Sequence, residues 1–220
     1  MDQSHNTDRK NIEQKFKEDK RDLDEKTLQF LFKVNKLDNM IHINEYNDYL
    51  DYINTLNSCV PDFKNRIERN IVEEELLFSF IPSEFKNWDI AIKKLFKLSA
   101  FWENTKLFYD KKNDIMSNFS KDLELLNYID EFNNIKKAIY ISKGDVNEEF
   151  YVKINKIVDD DITVMIEFLN ICNNIVEDEI NKINFHVLGT KVEDIKNKNI
   201  DPLIKNTLQK LYIEVYSDAI

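Results

Sequence analysis

SEFKNWDIAIKKLFKLSAFWENTKLFYDKKNDIMSNFSKDLELLNYIDEFNNIKKAIYISK, residues 83–143, holds no glycine and no proline. Nothing in its composition stops a helix. Its apolar residues keep helical spacing: Phe85, Trp88, Ile92, Leu95 and Trp102, then Ile115, Phe119, Leu123, Leu126, Ile129, Phe132 and Ile139. The spacing predicts one rod here, about 90 Å long at 1.5 Å per residue. The whole chain is similar. Its 220 residues include two glycines and three prolines, where a globular chain carries about 7% and 5%. The expected fold is all-α, built from a few very long helices.

Upstream, Phe16, Leu23, Phe30 and Leu37 step by seven, and Thr27, Val34 and Ile41 interleave. Tyr46, Tyr49, Ile53 and Leu56 carry the stripe on. This predicts one amphipathic helix over 9–56, bent near His42–Asn44, with Lys20 interrupting its stripe. Residues 1–8 read as a disordered leader, and 9–220 as a single domain. The first turn is expected at Asn57-Ser58-Cys59-Val60-Pro61. The second rod starts with Phe63, Ile67 and Ile71, and Pro82 should kink it. Gly144-Asp145 reads as the second turn, so the third helix folds back antiparallel. Its stripe is Phe150, Ile154, Ile157, Val164, Phe168, Ile171 and Ile175, followed by Ile183 and Val187. Gly189 and Asp201-Pro202 bend or break it, and Leu208, Leu211 and Val215 close the chain. The layout is three long, kinked, antiparallel helices. Their wide stripes call for self-association, with Trp88, Ile92, Leu95 and Trp102 as a core or dimer seam.

The charge narrows the function. The chain carries net −10, and residues 144–220 hold 8 basic and 15 acidic side chains. A duplex-DNA binder shows the opposite balance, so no nucleic acid is expected. No stretch reaches the ~20 apolar residues of a membrane span, and the polar start is no secretory signal. The expected location is the cytoplasm. Arg21-Asp22-Leu23-Asp24-Glu25 resembles a parasite export motif but follows no hydrophobic signal, and reads as a chance match. Cys59 and Cys172 read as buried free thiols of a reducing compartment.

Catalytic and metal signatures are missing from the sequence. His5, His42 and His186 are far apart, and no HExxH or Glu-x-x-His pair exists. Glu73-Glu74-Glu75 and Asp159-Asp160-Asp161 point three ways on a helix and read as solvated faces. No catalytic residue, cofactor or metal is expected. The remaining candidates are lysines. Lys93, Lys94 and Lys97, with Lys136, Lys137 and Lys143, could form a cationic surface for anionic lipid head groups. Segment 9–26, with Ile12, Phe16 and Leu23, could lie in a membrane interface.

Several blocks carry a family resemblance. Tyr46-x-x-Tyr49-Leu50-x-x-Ile53-x-x-Leu56 ends the first rod. Leu95-Phe96-x-Leu98-x-x-Phe101-Trp102 and Phe108-Tyr109-x-Lys111-Lys112-x-x-Ile115 mark the second. Val176-x-x-Glu179-Ile180-x-x-x-x-Phe185, Asp194-Ile195-Lys196 and Leu208-x-x-Leu211-Tyr212 mark the third. Over residues 25–220 this resembles a BAR domain, most like the C-terminal BAR region of sorting nexins. Two departures stand out: no phosphoinositide-binding PX domain precedes it, and the chain is acidic. The resemblance implies a crescent homodimer, or a heterodimer with a related helical subunit. Such a dimer would sense curved anionic phospholipid membrane in endosomal, retrograde sorting, peripheral on endosomal membranes. The alternative from the residues is a helical scaffold or adaptor that works through protein contacts alone.

Overall fold

The computed structural model describes residues 2–78, 84–118, 124–142 and 148–181, and defines side-chain surroundings over 9–78, 84–118, 124–142 and 152–173. All regular structure among them is helical. The helices are α1 (Asp2–Asn35), α2 (Tyr46–Phe78), α3 (Lys86–Ser117), α4 (Leu125–Ser142) and α5 (Glu148–Asn181). Short 3-10 turns occupy Lys36–Asn39 and Ile43–Glu45. The all-α expectation holds, but the division into three rods does not. Pro82, Lys143, Gly144-Asp145, His186, Gly189, Asp201-Pro202 and the stripe residues from Ile183 to Val215 lie outside the described residues.

The first reversal falls at residues 36–45, not at 57–61. No glycine or proline makes it; side chains hold it. The His42 backbone N–H donates to the Tyr49 hydroxyl at 3.1 Å, and that hydroxyl donates to Glu45 Oε2 at 2.8 Å. From α3, Lys94 Nζ donates to Asn35 Oδ1 at 2.8 Å and meets Asp38 Oδ2 at 2.5 Å. One ammonium thus joins the end of α1 to the turn.

The expected turn at Asn57–Pro61 lies inside α2. Proline in a helix interior removes one backbone bond and costs about 3 kcal/mol. Burial offsets it. Ile53 and Leu56 before Pro61, and Ile67 after it, are all in the core, each contributing about 1.5–3 kcal/mol. Pro61 itself faces solvent.

The quoted stretch 83–143 is two helices, not one rod. Lys111 and Glu131, twenty positions apart, form an ion pair at 2.7 Å. In one continuous helix they would stand about 30 Å apart. Phe108 meets Phe132 edge-on at 5.4 Å. Past Ser117, the Asn118 backbone N–H returns to the Asp114 carbonyl, and its side-chain amide donates to the Asp114 carboxylate. Such short polar side chains compete with helical bonding and end helices.

The chain forms two compact units. The first is α1, α2 and α3 as far as Trp102. Its contacts give an up-down-up arrangement. Phe16 meets Phe78 and Phe30 meets Phe63, so α1 and α2 are antiparallel. Phe63 meets Trp88 and Tyr49 meets Trp102, so α2 and α3 are antiparallel too. The core includes Leu23, Phe30, Val34, Leu37, Ile53, Leu95, Leu98 and Trp102. The second unit is α3 from Glu103, α4, and α5 from Tyr151. Phe108, Ile115, Phe132, Ile154, Met165 and Phe168 are buried in it.

Facing positions also fix the register of α1 on α2. Asp22 meets Arg66 at 3.2 Å. Beyond them, Asp19, Lys15 and Ile12 face the groove opposite Arg69, Glu73 and Leu76. Opposite charges at successive levels disfavour any slipped pairing. Inside the hairpin, Lys20 meets Glu74 at 2.6 Å. Lys20 therefore belongs to the seam it was expected to interrupt.

Candidate functional site

The stripe expected in a core or a dimer seam packs in the core of the first unit. Trp88, Leu95 and Trp102 are buried and Ile92 is half-buried. Trp88 stacks on Phe63 at 5.5 Å, and Tyr49 meets Trp102 edge-on at 4.9 Å. These rings hold one chain together.

The expected lysines have divided roles. Lys94 is taken up in the α1 turn, with its side chain only 15% exposed. Lys93 is exposed and Lys97 half-buried; between them Phe96 is 59% exposed. Lys136 and Lys137 lie on α4, beside exposed Tyr140 and Ile141. Lys143 lies outside the described residues.

Lys136, Lys137, Tyr140 and Ile141 share one groove. They line a cleft of about 460 Å³ with Asn133 of the same helix and Asn155 and Asp159 of α5. The spacing explains it: residues 133, 136, 137, 140 and 141 recur along one side of a helix. Ile141 is 78% exposed and Tyr140 69%. Lys136 Nζ meets Asp159 Oδ1 at 3.0 Å and donates to Thr163 Oγ1 at 2.9 Å. Thr163 in turn donates to the Asp159 carbonyl at 2.7 Å. The Lys136–Asp159 pair is over a third exposed on both sides, so it contributes at most about 1 kcal/mol.

Acidic triplets do not converge. Asp159 faces Lys136, Asp161 accepts from the Tyr109 hydroxyl at 2.5 Å, and Asp160 is exposed. Among the described residues no group of three His, Cys, Asp or Glu could hold a metal. No described helix is long and apolar enough to cross a membrane.

Titrating groups follow their surroundings. Burial pushes the Cys172 thiol far up, whereas Cys59 is exposed, against the expectation of two buried thiols. Burial and the Glu45 carboxylate raise Tyr49. A hydrogen bond from Lys26, with help from Arg66, holds Asp22 below the ordinary carboxylate range. Leu23, the centre of the export-like motif, is buried in the α1 seam.

The groove residues beyond the lysines were missed. Tyr140 and Ile141 flank the end of the Ile135–Ile139 stripe. The signal was an apolar pair off the core side of a helix, beside two adjacent lysines. No protein-family model, curated protein or solved structure matches the chain.

Proposed function

We propose that this protein is a helical adaptor that acts through protein–protein contacts. One observation carries the reading: the α4/α5 groove sets exposed Ile141 and Tyr140 beside Lys136 and Lys137. The Trp88 and Trp102 rings, expected in a core or a dimer seam, are buried inside the first unit. Among the outward apolar residues, Tyr140 and Ile141 form a short seam beside two lysines, which suits a docking helix. Recruitment of a partner segment is the mechanism, with no chemical step.

A second reading has its own support. Lys93, Phe96 and Lys97 put an exposed aromatic between two cationic side chains. Phospholipid interfaces select that combination. This is the surface a BAR-like membrane role would use, through a dimer on curved anionic membrane.

Sedimentation with phosphatidylserine vesicles at low and high salt, run beside light scattering, separates the two. The adaptor reading expects no sedimentation and a mass independent of vesicles. Salt-sensitive sedimentation that Phe96→Ala and Lys97→Glu abolish would overturn it in favour of the membrane.

A further inference from the structure

We propose that the outer part of α1, residues 9–26, is a releasable arm: it lifts from α2 as one unit while the rest of the first unit stays folded. Such an arm needs neither the α4/α5 groove nor a membrane. Trp88, in the first turn of α3, meets both Phe30 and Phe63 at 5.5 Å. From that level α3 runs antiparallel to α2. The pairing of 9–26 with 66–78 therefore lies beyond the first residue of α3.

The seam changes character at the same level. On the inner side Phe30, Val34 and Leu37 are apolar and buried. On the outer side Lys20 and Thr27 interrupt Phe16 and Leu23 of α1, and Asn70 and Glu74 interrupt Ile67 and Phe78 of α2. Lys20 and Glu74 answer each other at 2.6 Å, an attraction largely offset by the desolvation of both charges. Asn70 has no such answer. It is 4% exposed, and among the described residues its Oδ1 accepts no hydrogen bond. A cavity of about 80 Å³ lies against it, between Asp19 and Leu23 of α1 and Arg66 and Arg69 of α2. Closure thus leaves a buried oxygen unpaired and the packing incomplete, and opening returns that amide to water.

The joint is marked as well. Thr27 Oγ1 donates to the Asp24 carbonyl at 2.9 Å, a local bond that competes with the helix's own and favours bending. Holding the arm down are Phe16 against Phe78 at 5.6 Å, buried Leu23, and the Asp22–Arg66 pair. Release bares Phe16, Leu23 and Ile67, which are buried in the closed hairpin. Helices draw most of their stability from packing, so the lifted arm uncoils.

Hydrogen exchange of the full chain, read on overlapping peptides by mass spectrometry, tests this. Amides across 9–26 should share one protection factor, at least about tenfold below that of residues 30–35 of the same helix. Asn70→Leu removes the unpaired oxygen and should slow exchange across 9–26 by about tenfold. Ile53→Val weakens the inner core, and should speed exchange at 30–35 by roughly two- to tenfold while leaving 9–26 unmoved. Unchanged emission from Trp88 and Trp102 checks that the first unit of each variant is folded.

Equal protection across 9–35 would overturn the proposal. So would protection that fades steadily toward residue 9, which is fraying of an end. Exchange across 9–26 that ignores Asn70→Leu, or that quickens with Ile53→Val, would overturn it too.

Discussion

Replacing Pro61 with alanine should stabilise the first unit by about 2 kcal/mol. Proline is about 3 kcal/mol worse than alanine in a helix interior. Alanine also loosens the unfolded chain, which returns about 0.4–1 kcal/mol of that gain. Pro61 is exposed, so the substitution removes no core contact. The new N–H would donate to the Asn57 carbonyl, one turn back. Urea unfolding followed by tryptophan emission is the assay, because Trp88 and Trp102, the chain's two tryptophans, both lie in the first unit. With a slope of about 1–3 kcal/mol per molar urea, the midpoint should rise by about 1 M at unchanged slope. An unmoved or lowered midpoint would refute the reasoning. It would mean that α2 is broken at 57–61 and that proline suits the break.

Other expectations are independent of that one. Thiol titration with an aromatic disulfide should count one reactive cysteine in the native chain and two after denaturation, because Cys59 is exposed and Cys172 buried. Lys94→Ala should destabilise the first unit by about 3 kcal/mol, since it strips a mostly buried Asp38 of its partner; Lys137→Ala should change stability by less than about 0.5 kcal/mol in the same urea assay. Asp24 is held above its ordinary value of 3.8, mainly by burial, with Lys20 opposing. Its folded state therefore favours the protonated form, and ionisation weakens folding as pH rises through that raised value. Asp24→Asn should be more stable than the native chain at pH 7, with the gain fading as pH falls through the raised value and gone below 3.8; a constant difference across pH would contradict this.

Periodicity read the helices well and their ends poorly. The heptad Phe16, Leu23, Phe30 and Leu37 is buried throughout, because spacing reports which face turns inward. Ile41 was expected to extend the interleaved set, yet it is 41% exposed, since the helix has already ended at Asn35. Leu126 is out of phase for a similar reason: α4 starts afresh at Leu125. The first reversal is held by bonds of Tyr49 and Lys94 side chains, and α3 ends on local bonds between Asn118 and Asp114; glycine and proline counts do not see these. Pro61 misled in the opposite direction, because core burial on both sides outweighs a local penalty. Lys20 looked like a defect in its stripe, and Glu74 like part of a solvated acidic face, yet Glu74 is buried against Lys20. Only the pairing of α1 with α2 makes them one contact. The groove was half legible: the adjacent lysines stood out, but the exposure of Tyr140 and Ile141 depends on how α4 is rotated against its neighbours.

The Tyr49 hydroxyl sets an order on synthesis and folding. The corner between α1 and α2 is clasped by a residue downstream of it, on the first turn of the following helix. As the chain emerges amino-end first, α1 can coil at once, but its corner has no clasp until that ring arrives. A phenylalanine there would keep the ring in the core and leave the bend to Lys94 alone.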